Sequence, residues 1–239
     1  MGRTKRALVI GAGGLGSATL PLLARSGVEL RVFDDDVVSL SNLQRQLLFR
    51  TRDVGRPKVD VALERLAALV PGARVEGIRE RLTVENAEAL AGDADVVLDG
   101  SDNFATRFLV NDACVLVGTP LVHGGILRFT GQVLAVMPKV TSCYRCLFEA
   151  PPAEGVVPSC AEAGVLGALC GIVGARMATA AGAILSGAPV GDLLLVHDAL
   201  TGRDRGVKLG RDPSCAVCGD EPTIRALDAA RYGAEACAA

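Results

Sequence analysis

Asp34-Asp35-Asp36-Val37-Val38-Ser39-Leu40-Ser41-Asn42-Leu43-Gln44-Arg45-Gln46, closed by Gly55-Arg56-Pro57-Lys58, is the stretch on which the fold turns. It follows Leu30-Arg31-Val32-Phe33, an apolar run that reads as a strand. Its acidic residues therefore emerge at a strand's carboxyl end, the edge where open parallel α/β sheets bind ligands. Leu40, Leu43 and Leu47 recur at helical steps and predict a short amphipathic helix. Asn42 and Arg45 then share another face of it. Pro57 suits the first turn of a second helix, because its missing N–H would be unpaired there anyway. Lys58 lands at that helix's N-terminus, the wrong end for a cation by about 0.3–1 kcal/mol. Two readings of Lys58 stand: an anion held between it, Arg45 and nearby backbone N–H groups, or a solvated lysine on a surface helix.

Outward from this stretch, strands and helices alternate. Ala7-Leu8-Val9-Ile10 is a buried-strand run that breaks at Gly11-Ala12-Gly13-Gly14-Leu15-Gly16 and continues as a helix to about Ser26. Val59 to Val70 reads as a helix with Leu63, Leu66 and Val70 on its apolar face. Arg74 to Ile78 fits a third strand, Thr83 can cap a helix reaching Leu90, and Ala94 to Asp99 is a fourth strand. A helix from about Phe104 leads to a fifth strand starting at Pro120-Leu121-Val122-His123. This alternation predicts a doubly wound, mostly parallel, Rossmann-like α/β sheet. After Gly124, Arg128–Pro138, Leu193–His197 and Gly206–Leu209 look like strands without crossover helices, and predict an antiparallel extension. We expect one domain, 1–239, with a nucleotide-binding half (1–124) and a half (125–239) that completes the site.

The chain has 239 residues, 50% hydrophobic and 22% charged, which is globular α/β composition. A net charge of −2 and the lack of basic runs with interleaved aromatics argue against nucleic-acid binding. The basic start, Met1 to Arg6, runs straight into the glycine loop and does not read as a signal peptide. Ala161 to Ser186 is nearly all small and apolar, but Glu162, Arg176 and its glycines point to a buried, closely packed helix over a membrane span. We expect a cytoplasmic protein.

Gly11-x-Gly13-x-x-Gly16 lets the backbone turn tightly and meet a phosphate at a helix N-terminus. Its commonest meaning is a dinucleotide site, with Asp34 at about the right distance for ribose hydroxyls. There is no Gly-Lys-Ser/Thr, so a triphosphate would need its cations from elsewhere, and Asn42, Arg45 and Lys58 are well placed. Asp99-Gly100-Ser101-Asp102-Asn103 ends the fourth strand on the same edge. A carboxylate there suits Mg²⁺ beside a phosphate chain, while Asp102 or Asn103 could equally cap the next helix. Cys143-x-x-Cys146 and Cys215-x-x-Cys218 can form a four-thiolate Zn²⁺ site, with redox pairs or two disulfides as alternatives. Cys114 and Cys170 lie in apolar helical patterns and read as core; His123 and His197 read as satisfied core histidines.

Together these motifs resemble the ubiquitin-activating-like adenylyltransferases of the ThiF/MoeB/HesA type. The matching residues run from Gly11–Gly16 through Asp34, Asp36, Ser41–Gln46, Asp53-Val54-Gly55 and Lys58 to Asp99–Asn103 with Thr106-Arg107. Gly131-Gln132, both Cys-x-x-Cys pairs, Cys160–Val165 and Pro222-Thr223-Ile224 extend the likeness over almost the whole chain. The resemblance implies an enzyme that binds ATP and Mg²⁺ and adenylates the terminal carboxylate of a small ubiquitin-like sulfur-carrier protein ending in Gly-Gly. It implies that Asp34 holds the ribose, that Asn42, Arg45 and Lys58 hold the phosphates, and that Asp102 holds Mg²⁺. Gly11, Gly13, Gly14, Gly16, Asp36, Gln46 and Asn103 complete the implied nucleotide-binding set.

Cys160 matches a position used in some relatives for sulfur or acyl transfer and merely kept in others; a small apolar residue at a loop end is the alternative. Relatives usually begin with an extra helix whose arginine reaches the partner subunit's ATP site. Here only Arg3, Lys5 and Arg6 precede the first strand, so that arginine is absent, replaced by one of these, or provided by another protein. A rhodanese-like domain is not seen, so a separate sulfur donor is expected. The Gly/Ala-rich helix near Gly164 to Ala183 predicts a homodimer. Two other readings stay open: a carrier-binding partner without turnover, and an NAD-dependent oxidoreductase resting on the glycine loop alone.

Overall fold

The computed structural model describes residues 3–152 and 164–232. Its first strand, β1 (Arg6–Ile10), lies between β2 (Glu29–Phe33) and β4 (Val96–Asp99), and all three run parallel. With β3 (Val75–Ile78), β5 (Leu121–Leu127), β6 (Thr130–Val136), β7 (Leu193–Asp198) and β8 (Arg203–Lys208) they form one sheet in the order β3-β2-β1-β4-β5-β6-β7-β8. Strands β1–β5 are parallel, and β5-β6-β7-β8 pair antiparallel, so both expectations for the sheet hold. Central strands are buried throughout, because helices cover both faces of the parallel part.

On one face lie α1 (Gly14–Arg25), α2 (Lys58–Leu69) and α6 (Gly167–Ser186), packed over Val9, Val32, Leu98 and Val122. On the other lie α3 (Ala87–Gly92), α4 (Phe104–Val117) and the short α5 (Tyr144–Leu147), over Leu8, Ile10, Val97 and Leu134. Small residues set the spacing. A Cβ on Gly77 of β3 would lie 2.3 Å from Val59 Cγ1 of α2, and one on Gly174 of α6 would lie 2.7 Å from Ala18 Cβ of α1. Thr19 Oγ1 donates to Gly174 O across that close crossing (3.1 Å).

Several expectations are corrected. Leu40 to Leu47 is not an amphipathic helix: a single 3₁₀ turn, Leu40–Asn42, is followed by further turns. Leu40 is 66% and Leu47 78% exposed, and the segment is anchored instead by buried Gln46, Leu48 and Phe49. Burial of that second set overrides the leucine spacing. The third helix begins at Ala87, after a turn in which Asn86 Oδ1 accepts the Thr83 N–H; Asn86, not Thr83, precedes its first turn. β5 continues through Gly124 to Leu127.

The apolar segment after residue 163 forms α6, the one described helix long and apolar enough to cross a membrane. It is buried on one face only: Leu169, Cys170, Val173, Met177 and Ala181 pack inward, while Ile172 lies 38% exposed. Its Arg176 pairs with Asp204 of β8 at 2.5 Å.

Candidate active site

The glycine loop between β1 and α1 has a steric reason for each of its outer glycines. Gly11 sits at φ +90°, open to glycine, and donates its N–H to Phe33 O at 2.8 Å. A Cβ on Gly16 would stand 2.1 Å from Gly11 O, a backbone atom that cannot step aside. Gly16→Ala is expected to destabilise the fold by about 2–3 kcal/mol or more, read as a lowered denaturant midpoint. With Gly13 at its N-cap, α1 has no side-chain cap and no acidic residue in its first turn. Its leading N–H groups therefore face the sheet's carboxyl edge ready for an anion.

That edge holds an open cavity of about 480 Å³. Gly11, Gly13 and Gly14 line it from β1, Asp34 and Asp36 from β2, and Asn42, Arg45, Gln46 and Lys58 from the stretch that follows. Asp102 and Asn103 close it from β4. The implied nucleotide set thus converges on one cleft, apart from Gly16, whose part is the loop's geometry. Glu80, Arg81 and Leu82 after β3 also line it, as do Arg107 and Cys170. The first three are where the strand-end rule places ligand contacts. Cys170 is buried as expected but looks into the cavity: a Cβ on Gly14 would lie 2.8 Å from its Sγ.

Asp34 accepts the backbone N–H of Ala12 (2.7 Å) and of Asp36 (2.9 Å), tying β2's end to the glycine loop. Burial pushes its carboxyl above the usual range, more than Lys58 and these N–H groups pull it down. Lys58 is the first residue of α2, and its side chain is 7% exposed. Its misfit at a helix N-terminus is relieved within the chain, since Nζ meets Asp36 Oδ2 at 2.5 Å. Burial would raise the Asp36 carboxyl, but the bond and charge of Lys58 prevail and hold it low. Arg45 Nη2 donates to Asn42 Oδ1 at 2.8 Å, so the two meet at the cavity although the helix expected to carry them is not formed.

Asn103 takes the helix-cap role: its Oδ1 accepts the Thr106 N–H at 2.8 Å. Asp102 does not cap α4. It is exposed to the cavity, with no hydrogen bond or ion pair from any described residue. Two buried atoms of the lining, Gln46 Oε1 and Ser101 Oγ, also lack partners among the described residues. Buried polar atoms left so are unfavourable until a polar ligand or water meets them.

A second cluster lies apart from the cavity. The Sγ atoms of Cys143, Cys146, Cys215 and Cys218 all lie within 4.8 Å of one another, with 143–215 at 3.7 Å, 143–146 at 3.9 Å and 146–218 at 3.4 Å. A tetrahedral zinc with sulfurs at about 2.3 Å needs sulfur–sulfur edges of about 3.8 Å, so the set fits; a disulfide needs about 2.05 Å. Arg3, Lys5 and Arg6 lie at the opposite edge of the sheet, paired with Asp95, Asp93 and Glu29. Cys160 and Cys237 fall outside the described residues.

The family model described as "ThiF family" matches residues 3–217. The chain belongs to the ThiF family. This ThiF-family protein is 50% identical over 235 residues to a sulfur carrier protein adenylyltransferase of Thermus thermophilus, covering 94% of this chain and 87% of that one. It is 42% identical to the sulfur carrier protein ThiS adenylyltransferase of Escherichia coli, over 89% of this chain and 85% of the relative. Among solved structures, E. coli MccB with ATP superposes with a TM-score of 0.78 at 21% identity, covering 90% of this chain and 67% of that one. That last likeness is one of fold.

Proposed function

We propose that this ThiF-family protein uses ATP to adenylate the C-terminal carboxylate of a small sulfur-carrier protein ending in Gly-Gly. The observation that carries this reading is the convergence of Arg45, Lys58 and Asp102 on one cleft at the carboxyl edge of the parallel strands. The two relatives named as sulfur-carrier adenylyltransferases support it, being similar over most of their length.

A carboxylate oxygen of the carrier attacks the α-phosphorus of ATP. The bond from that phosphorus to the bridging oxygen breaks, and pyrophosphate leaves with the electron pair. The carboxylate is already a competent nucleophile, so no general base is required and no thiol takes part in this step. What the protein contributes is placement and charge. The glycine loop and the uncapped start of α1 receive phosphate oxygens, with Gly14 and Gln46 beside them. Asp34, whose oxygens already face this edge, accepts from the ribose hydroxyls. Arg45, steered by Asn42, and Lys58 stabilise the negative charge that grows on the leaving pyrophosphate. Asp102, without a partner among the described residues, would hold Mg²⁺, which would supply further charge neutralisation at the phosphates. Asp36 acts here as the counterion that holds Lys58, and Asn103 as the cap that starts α4.

In this reading residues 1–124 bind the nucleotide and 125–239 receive the carrier. The four thiols would hold a structural zinc, because a closed four-sulfur shell leaves no position for substrate. Reduced thiols suit a cytoplasmic setting. The exposed small-residue face of α6 fits a homodimer. The test is pyrophosphate release with purified protein, MgATP and a Gly-Gly-ended carrier. Release requiring all three is expected, with a carrier mass gain matching one adenylate. Release without carrier, or none with any, would overturn it.

A further inference from the structure

His123 reads from sequence as a satisfied core histidine, yet only half of it is satisfied. It sits on β5 in register with Asp99 at the end of β4, and both are buried. Its Nδ1 lies 2.8 Å from Asp99 Oδ2, while Nε2 has no partner among the described residues. The other oxygen of Asp99, Oδ1, accepts the Ser101 N–H at 2.9 Å. Ser101 O in turn accepts from Arg107 Nη2 at 3.1 Å. The turn Asp99–Asp102 is thus gripped from inside by a carboxylate and from outside by a guanidinium. Asp102 has no partner among the described residues, so this turn and the capped start of α4 set its direction.

We infer that His123 is a positioning residue for the reaction, fixing through Asp99 the turn that aims Asp102 into the nucleotide cavity. The inference rests on the proposed role of Asp102 as a metal-holding carboxylate. Physically, a buried carboxylate needs donors on both oxygens. Burial would push Asp99 up, but hydrogen bonds from His123 and Ser101 and the nearby charge of Arg107 hold it below the usual carboxylate range. Burial lowers the His123 imidazole, which therefore stays neutral with its Nδ1 proton on Asp99. Remove that donor and Asp99 Oδ2 is left buried without a partner, so the carboxylate is driven to turn toward another donor, which draws Oδ1 off the Ser101 N–H. The ring is itself held by Tyr144, edge-on at 4.8 Å, which follows Cys143 of the thiol cluster. Losing a partner that orients a metal ligand typically weakens metal affinity by about 10- to 100-fold.

The experiment measures ATP binding by calorimetry across a MgCl₂ series, alongside the MgCl₂ requirement of pyrophosphate release. Asp102→Asn is the reference arm, His123→Leu removes the donor, and His123→Asn restores an N–H near the Nδ1 position. Expected is a rise of about tenfold or more in the Mg²⁺ concentration needed for tight ATP binding in Asp102→Asn and His123→Leu, with His123→Asn close to wild type. If Asp102→Asn leaves the Mg²⁺ series unmoved, the metal role of Asp102 fails. If it moves but folded His123→Leu lowers only the melting temperature, the inference on His123 fails. Should His123→Leu not fold, Asp99→Asn, which cannot accept from both donors, takes its place. Failure of both to fold would also overturn it, since the pair would then hold the fold and not the turn.

Discussion

Lys58→Ala is expected to lower carrier-dependent pyrophosphate release by about 100- to 1,000-fold while leaving the melting temperature close to that of the parent. The catalytic loss follows from position. Lys58 begins α2, with its side chain nearly buried and its ammonium at the cavity rim. A cation already aimed at charge that grows on a leaving group contributes far more than one that solvent must reorganise to place. The small structural effect follows from its partner. Asp36 is more than half exposed, so its carboxylate is hydrated once the lysine is gone and no buried charge is left unpaired. The two readouts must therefore separate. Parallel loss of fold and activity would make Lys58 a strut of α2, and unchanged release would remove it from the chemistry. Lys58→Arg gives a further check, because a planar guanidinium facing Asp36 forms a fork that the Lys58 ammonium does not, and partial activity is expected.

The parallel half of the fold was legible because buried strands carry their own signature. Ala7–Ile10 and Val96–Asp99 are apolar runs broken by turn residues, and each appears as a strand in its expected place. The site was legible for a related reason: in such a sheet, residues just past a strand end meet at one edge, so Asp34, Arg45, Lys58 and Asp102 fall together once the strands are placed. The misses share a cause as well. Leucine spacing from 40 to 47 suggested a helix, but Gln46, Leu48 and Phe49 had the cavity wall and core to fill, and their burial fixed a chain of turns. Periodicity records which residues could share a face; it does not record which face tertiary packing demands. The long apolar segment shows the same limit, since α6 buries one side only and leaves Ile172 open. Cys170 was placed in the core by its pattern, and nothing in that pattern separates a residue facing the sheet from one facing a cavity between helix and sheet. His123 is the subtler case: its role depends on Asp99, a register partner 24 residues away that no local pattern names.

Removing metal from the thiol cluster is expected to lower Tm by about 10 °C or more. The cluster joins Cys143 and Cys146, after β6, to Cys215 and Cys218, after β8, and these residues belong to the core on the α4 face together with Val217, Ile224 and Tyr232. A structural zinc in a small domain contributes about 10–16 kcal/mol to folding near neutral pH. This larger chain keeps other ties here: Arg145 binds Asp112 through Nη2 at 2.8 Å, and Tyr232 Oη donates to Asp112 Oδ2 at 3.0 Å. Suppose only about 5 kcal/mol is lost. At about 2–4 °C per kcal/mol for a chain of this length, the shift is about 10–20 °C. Purified protein should then carry one zinc per chain, and chelator should produce the shift while reductant alone should not. Cys215→Ser should reproduce it without chelator, through a broken four-sulfur shell. The signs differ for the alternatives: disulfides would respond to reductant, and a redox pair would be indifferent to chelator. Protein purified free of zinc, with a Tm that chelator leaves untouched, would leave these four sulfurs as packing atoms alone, against the spacing that brings all of them within 4.8 Å.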